Sequence, residues 1–166
     1  MTKVESALQR TTDTKDLIIG AGVVARTAEM FAKLFPGKTA IIVADLNTWE
    51  VAGKAVFASL EEAGIAQEKP FIFTDEELYA EWKHVEKLQA HLANVDAIAI
   101  AVGSGVMNDL TKYVSHLLNR KREAYINRDI GLISSSRHHG HQLSGCSRLR
   151  FRKSPRAMYG AMISTP

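Results

Sequence analysis

The chain has 166 residues, of which 46% are hydrophobic and 23% are charged. These proportions are typical of one compact globular domain and exclude a disordered or fibrous chain. No apolar run is long enough to span a bilayer, and the polar segment 1–16 lacks the apolar core of a secretory signal. The single cysteine, Cys146, has no partner for an internal disulfide, so the sequence predicts a cytoplasmic protein.

Charge is distributed unevenly along the chain. Residues 1–119 contain 11 Lys and Arg against 16 Asp and Glu, a balance of −5, whereas residues 120–166 contain 10 against 2, a balance of +8. Lysine is the commoner cation in the first region and arginine in the second. We therefore predict a globular domain over 1–119 and a basic, irregular segment over 120–166.

Short apolar runs alternate with longer segments of helical period over residues 16–118. The alternation predicts an α/β fold, a parallel sheet with flanking helices, because strands that are covered on both faces are almost wholly apolar. The predicted strands, in chain order, are 16–20, 39–44, 70–73 and 97–102, and the helical stripes lie at 24–35, 51–60, 78–92 and 107–117. Beyond residue 119 the stretch AYINRDIGLIS predicts one more strand.

Two of the predicted strand-to-helix turns are rich in glycine. The first spans residues 20–25 and matches a G-x-G-x-x-A pattern, and the second is Gly103-Ser104-Gly105. Glycine in such a turn lets main-chain N–H groups approach phosphate oxygens, and the following helix N-terminus favours an anion. From spacing alone, a plain tight turn explains the second loop as well as a phosphate site does.

Two carboxylates stand near the predicted carboxyl ends of strands. Asp45 follows the second strand, where dinucleotide folds place an acidic residue on the adenine ribose, and an acidic residue there favours NAD over NADP. The alternative is an N-cap for the next helix, which begins within DLNTWE.

Asp109 lies about one turn into the helix after Gly105. It is predicted to face a sugar, an amide or a substrate, and an ordinary helix pair with Lys112 is the alternative.

Two segments, VGSGVMNDLTKYVS and IIVADLNTWEVAGKAVFASLEEAG, carry a resemblance to a known family. They resemble the nucleotide-binding half of bacterial sn-glycerol-1-phosphate dehydrogenases. Glycerol dehydrogenases, iron-containing alcohol dehydrogenases and dehydroquinate synthase belong to the same superfamily. The resemblance covers about residues 16–119 and implies a Rossmann-like sheet. Other branches usually carry three glycines at this loop, so G-S-G followed by N-D-L-T-K-Y points to the glycerol-1-phosphate branch.

The resemblance implies that the later loop holds the pyrophosphate of NAD or NADP. Gly20 and Gly22 then form a structural turn near the cofactor. Asn108 and Asp109 border the nicotinamide and a small phosphorylated substrate. The family interconverts dihydroxyacetone phosphate and sn-glycerol 1-phosphate, in phospholipid metabolism, with a divalent metal polarising the carbonyl. The full set of expected cofactor-binding residues is Asp45, Gly103, Ser104, Gly105, Val106, Met107, Asn108 and Asp109.

The resemblance also implies parts that this sequence does not match. Members hold the metal with an Asp and two His from a second, all-helical domain, and they carry a T-A-A-S-x-D-G stretch where NRDIGLISSSRHHG stands here. We assign no catalytic residue and no metal ligand, and interpret His138, His139 and His141 as an incidental surface cluster. The expectation is a truncated cofactor domain that is inactive alone, with a homo-oligomer left open.

Two other interpretations remain at this point. The segment SRLRFRKSPR could bind nucleic acid or an acidic partner, with Phe151 as a stacking surface, but it matches no recognised motif, and solvated charge is the favoured interpretation. A flavodoxin-like domain for a small ligand shares the fold class, but it would leave Asp45 without a role.

Near residues 120–122 the preference for lysine over arginine reverses and the helical period is lost, and the family motif expected after this point is missing. Our hypothesis is that the reading frame, or a rearrangement, departs from the family ancestor there. Translating the encoding DNA in its other two frames is expected to restore a T-A-A-S-x-D-G-like stretch, and the hypothesis is wrong if neither frame contains one.

Overall fold

Six strands form one mixed sheet in the computed structural model, which describes Gln9 and residues 14–119, 122–127 and 132–137. The strands are β1 (Thr14–Ile19), β2 (Ala40–Asp45), β3 (Phe71–Phe73), β4 (Ile98–Val102), β5 (Arg122–Asn127) and β6 (Leu132–Arg137). Their order across the sheet is β1-β6-β5-β4-β2-β3. Strands β5, β4, β2 and β3 are parallel, whereas β6 is antiparallel to both of its neighbours, β5 and β1.

The helices of the described ranges occupy the connections between strands. They are α1 (Thr27–Leu34), α2 (Lys54–Glu62), α3 (Trp82–Leu92) and α4 (Gly105–Leu117). A four-residue 3₁₀ helix, Val23–Arg26, precedes α1, and a helical turn, Leu46–Thr48, with a π turn, Trp49–Gly53, leads directly into α2. None of the described helices combines the length and apolarity that crossing a membrane requires.

The core consists of two apolar layers, one on each face of the sheet. Helices α1 and α2 cover one face, where Phe31 and Leu60 pack in the same cluster as Ile42. Helices α3 and α4 cover the other face, where Leu88 belongs to the same cluster as Ile41. Alternate residues of β2 thus point to opposite layers and are buried on both sides, as the uninterrupted apolar run of this strand predicts.

The predicted α/β class, with a parallel sheet and flanking helices, is confirmed by this arrangement. Each of the four predicted strands is present, with ends that differ by at most two residues. The stretch AYINRDIGLIS, predicted to supply one more strand, contributes residues to two, β5 and β6, so strand structure there is confirmed and the number of strands was wrong. Residues 134–136 are all serine and carry no apolar signal, so the β6 strand follows from main-chain pairing with β5 and β1 on both sides.

The sheet therefore extends past residue 119, into the region that the sequence predicts to be irregular, over 122–127 and 132–137. The division of the chain at that residue stays a prediction, since most of the basic segment lies outside the described residues.

The connections from β2 and β4 leave the sheet on opposite faces. From β2 the chain crosses the face of α1 and α2 to reach β3, whereas from β4 it crosses the face of α3 and α4 to reach β5 on the other side. In an open parallel sheet such a reversal leaves a crevice at the carboxyl ends of the two adjacent strands, where ligands generally bind. A ligand-binding site is therefore expected at the carboxyl ends of β2 and β4.

Candidate functional site

Strands β2 and β4 run side by side, so the segments that follow them emerge next to each other. Val43 pairs with Ala101 near the ends of the strands. Two residues further along lie Asp45, the end of β2, and Gly103, the first residue after β4. A Cβ atom built on Gly103 would lie 3.3 Å from Cγ2 of Thr48 in the turn after Asp45. The structure thus brings two predicted site positions together at one edge of the sheet.

Asp45 caps the helical turn that follows β2. Its Oδ1 accepts a hydrogen bond from the N–H of Thr48 at 2.8 Å, and its own N–H donates to Oγ1 of Thr48 at 3.1 Å. This reciprocal capping box is the N-cap alternative that the sequence left open. Within the described residues the Asp45 carboxylate makes no other hydrogen bond or ion pair, so Oδ2 is available to a ligand.

Gly103 is required by the fold itself. Its φ of +155° lies in a region that other residues rarely adopt, and a Cβ atom there would lie 2.6 Å from Cγ of Met107. The N–H of Gly103 donates to the carbonyl of Ile126 at 3.0 Å and so ties the loop to β5. At this position the tight-turn interpretation accounts for the glycine.

Gly105, the first residue of α4, has no such structural requirement. Its φ is outside the positive range, and a Cβ atom built there would meet nothing within 4 Å. Ser104 provides no side-chain cap, and the first donor that bonds within the helix is the N–H of Asn108, to the Ser104 carbonyl at 3.2 Å. The N–H groups of Gly105, Val106 and Met107 have no acceptor among the described residues. Open space thus adjoins three donors and the positive end of a 13-residue helix.

Asp109 lies one turn further along α4 and is half-buried. It forms no hydrogen bond or ion pair with any described residue, so the predicted alternative of a direct pair with Lys112 is not observed. Burial raises the pKa of the Asp109 carboxyl above its usual range, and the nearby charge of Lys112 offsets only part of that shift. A desolvated carboxylate without a partner lowers the stability of the free protein.

The earlier glycine turn differs from the α4 loop. Gly20 has a φ of +155° and Gly22 a φ of +70°, so both are glycine for backbone reasons. The turn leads into the four-residue 3₁₀ helix rather than directly into an α-helix. It follows β1, which β6 and β5 separate from β4. These features agree with the structural-turn role expected for Gly20 and Gly22.

A metal ion in a protein is held by several donor side chains grouped close together. Over the described ranges, no three His, Cys, Asp or Glu side chains are grouped so that they could hold a metal ion. His138, His139 and His141 lie outside those ranges. The described residues therefore do not fit the metal that the resemblance implies.

Sequence reasoning missed a polar cluster at the end of β3, which we call the His84 cluster: Asp75, His84, Lys87 and the carbonyl of Tyr79. The His84 side chain is buried, its Nδ1 lies 2.7 Å from the carbonyl oxygen of Tyr79, and its Nε2 lies 3.5 Å from Oδ1 of Asp75. Nζ of Lys87 lies 3.3 Å from Oδ2 of Asp75. The only signal in the sequence was an Asp two residues beyond a predicted strand, and it did not reveal the buried histidine.

The reversal between β2 and β4, with a helix beginning at the carboxyl end of β4, defines the class of doubly wound α/β proteins. The family model of iron-containing alcohol dehydrogenases matches residues 18–124, and the chain belongs to that family.

Individual relatives agree with this family. The chain is 32% identical over 110 residues to 3-dehydroquinate synthase of Rhizobium johnstonii, covering 63% of this chain and 29% of the relative. It is 29% identical over 90 residues to glycerol dehydrogenase 1 of Schizosaccharomyces pombe, covering 54% of this chain and 19% of the relative. This chain therefore spans less than a third of the length of these curated relatives.

A solved structure supports the fold. An iron-containing alcohol dehydrogenase of Thermococcus thioreducens superposes with a TM-score of 0.51 at 10% identity, covering 73% of this chain and 41% of the other. The family model and the curated relatives confirm the broad superfamily that the resemblance implies.

The two glycines of the α4 loop are expected to respond oppositely to alanine. Gly103→Ala should lower the free energy of unfolding by about 1–3 kcal/mol, because the new Cβ meets Met107 and the φ is strained. Gly105→Ala should leave it unchanged or raise it by up to about 1 kcal/mol, because alanine favours the helix and the space is open. Urea unfolding measures both, and equal losses would contradict this assignment.

Replacing Asp109 with Asn should stabilise the protein at neutral pH. A carboxyl with a raised folded-state pKa binds its proton more tightly when folded, so stability falls as pH rises from the unfolded value, about 3.9, through the folded one. The gain from Asn should therefore be largest at neutral pH and vanish below about pH 4. Thermal unfolding at several pH values measures this, with Asp96→Asn, at an exposed position, as the control. A gain that grows on acidification would contradict the burial argument.

Proposed function

We propose that this chain binds NAD(H) at the carboxyl ends of β2 and β4 and serves as the cofactor-binding domain of a dehydrogenase. The observation that carries the proposal is Gly105, a glycine that the fold does not require, beside three main-chain donors at the start of α4 that have no acceptor in the described part of the chain. A pyrophosphate accepts hydrogen bonds from such donors and is favoured by the helix dipole, and it needs the space that a side chain would fill.

Asp45 supplies the second contact of the proposed site. Because Oδ1 is held by the N–H of Thr48, the carboxylate is fixed in direction before a ligand arrives, and Oδ2 is left to accept a hydrogen bond from a ribose hydroxyl. A negative charge there repels the 2′-phosphate of NADP. The chain should therefore prefer NADH to NADPH.

The nicotinamide end of the ligand is placed toward α4. Asn108 and Asp109 lie in the first turns of this helix, and the half-buried Asp109 carboxylate has no hydrogen-bond or ion-pair partner among the described residues. An amide or a hydroxyl of the bound ligand would supply the missing hydrogen bond. The dinucleotide contributes hydride transfer when bound, while the residues of this chain bind and orient it.

Within this family, we propose that the dehydrogenase belongs to the glycerol-1-phosphate branch. The proposal rests on the sequence GSGVMNDLTKY at the α4 loop, and the reaction of this branch interconverts dihydroxyacetone phosphate and sn-glycerol 1-phosphate. Adding sn-glycerol 1-phosphate should tighten NAD⁺ binding, whereas glycerol should not, and equal effects would contradict the assignment to this branch.

The nucleic-acid alternative concerns residues outside the described ranges and stays a prediction, as does a homo-oligomer.

The test is titration of the purified chain with NADH, followed by fluorescence. Gly105→Val should raise the Kd by about tenfold or more, because its side chain fills the space proposed for the pyrophosphate. Ala58→Val, which adds the same residue at an exposed position of α2, is the matched control and should bind as the natural chain does. Absence of NADH binding in the natural chain, or undiminished binding by Gly105→Val, would overturn the proposal.

A substitution that tests Asp45 must remove the carboxylate but keep the N-cap, because Asp45 also caps a helical turn. Serine is as good an N-cap as aspartate, so Asp45→Ser should keep the unfolding free energy, weaken NADH binding and reduce the preference over NADPH. Asp45→Ala should also lose about 0.5–2 kcal/mol of stability. If Asp45→Ser binds NADH as tightly as the natural chain, the residue is a cap and nothing more.

A further inference from the structure

Thr48 lies between the two loops of the proposed site and contacts both of them. It is the last residue of the helical turn Leu46–Thr48, and it is only 9% exposed. So little of its surface is open that its influence on a ligand must pass through the residues that it touches. Its main-chain N–H, its hydroxyl and its methyl group make different contacts.

The polar groups of Thr48 hold Asp45. The N–H of Thr48 donates to Oδ1 of Asp45 at 2.8 Å, and Oγ1 of Thr48 accepts from the N–H of Asp45 at 3.1 Å. Because the two bonds join the same pair of residues in both directions, a rotation of the carboxylate breaks one bond and a movement of the main chain breaks the other. The direction of Oδ2, the oxygen proposed to accept from the ribose, therefore depends on Thr48.

The methyl group of Thr48 lies against the other loop. Gly103 has no side chain, and Cγ2 of Thr48 lies 3.3 Å from the position that its Cβ atom would take. Met107 lies on the same side of this glycine, and the N–H of Gly103 donates to the carbonyl of Ile126 at 3.0 Å. The loop before α4 is thus held on β5 through Gly103, and at this contact one methyl group sets its spacing from the turn after β2.

The two contacts of Thr48 correspond to two parts of the proposed ligand. Asp45 is proposed to bind the adenine ribose, and the main-chain donors that begin at Gly105 are proposed to bind the pyrophosphate. Since these parts of a dinucleotide are covalently joined, both sets of contacts form together only when the two loops have the matching spacing. A buried side chain between the loops determines that spacing before the ligand arrives.

We infer that Thr48 is a positioning residue that governs cofactor preference and cofactor affinity through two different groups. The inference rests on the proposed function. The hydroxyl keeps the Asp45 carboxylate directed at the ribose and so maintains the preference for NADH over NADPH. The methyl group sets the spacing of the loop at Gly103 and so affects the binding of both cofactors equally.

Two substitutions separate these groups, and the Kd values for NADH and NADPH are measured for each by fluorescence titration. Thr48→Val keeps the branched shape and removes the hydroxyl, and it should reduce the preference for NADH by about two- to tenfold, the range expected for one hydrogen bond. Thr48→Ser keeps the hydroxyl and removes the methyl group. It should raise both Kd values by about the same factor, roughly two- to fivefold, and leave the preference unchanged.

A double-mutant cycle tests whether the hydroxyl acts through Asp45. If it does, Thr48→Val should change the preference in the natural chain but not in Asp45→Ser, where the carboxylate is already absent. A general disturbance of the turn by valine would change binding in both backgrounds.

Thr111 provides matched controls. Like Thr48 it is a buried threonine, 1% exposed, but its hydroxyl makes no hydrogen bond with a described residue. Thr111→Val and Thr111→Ser should therefore leave both Kd values as they are in the natural chain. Thermal unfolding checks that each variant is folded under the conditions of the titration.

The outcomes separate this inference from the proposed function. If the natural chain prefers NADH and Thr48→Val retains the full preference, the inference fails and the proposed function stands. If both variants lose preference and affinity alike, Thr48 is structural only, and the inference fails. Should Thr48→Val not fold, an unequal effect of Thr48→Ser on the two cofactors also overturns it. If the natural chain binds neither cofactor, the proposed function fails, and the inference fails with it.

Discussion

The pairing of β2 with β4 is the constraint on which the site depends. Their hydrogen-bonded register sets Asp45 beside Gly103, and the crossovers that leave them on opposite faces keep the space above their ends free of chain. Both strands are apolar on both sides and packed between two helical layers, so neither can slide without exposing a core face. The position of every proposed binding group follows from this one lateral contact.

Some residues at this edge have structural roles, and others have the binding roles proposed above. Gly103 and Thr48 bring the two loops into contact, and Asp45 combines a cap with a free carboxylate oxygen. By contrast, the fold does not require Gly105, and Asp109 lowers the stability of the free chain because its carboxylate is half-buried with no hydrogen bond or ion pair to a described residue. Groups that the fold does not need, placed where a parallel sheet binds ligands, are typical of a site maintained for binding.

The sequence was sufficient for the features that depend on local pattern. The apolar run of β2 and the helical stripe of α4 predicted both elements, and glycine after a strand predicted the loop at residue 103. It could not decide whether Asp45 is a cap or a ligand group, because both roles require a carboxylate at the same position. Burial of His84 was also beyond its reach, since that depends on how the segment 74–81 folds over β3. The serines of β6 gave no signal, because main-chain pairing alone makes them a strand.

The position of β1 has a consequence for the order in which the chain is built. This strand is the first of the described strands in chain order, yet its partner in the sheet is the last of them, β6, with Thr14 paired to Ser136. Until β6 has been synthesised, β1 lacks the one neighbour that the described strands offer to its main-chain groups, while β2, β3 and β4 can already associate. Closing so long a loop is an entropically costly step, so the β1 edge of the sheet is expected to be completed last.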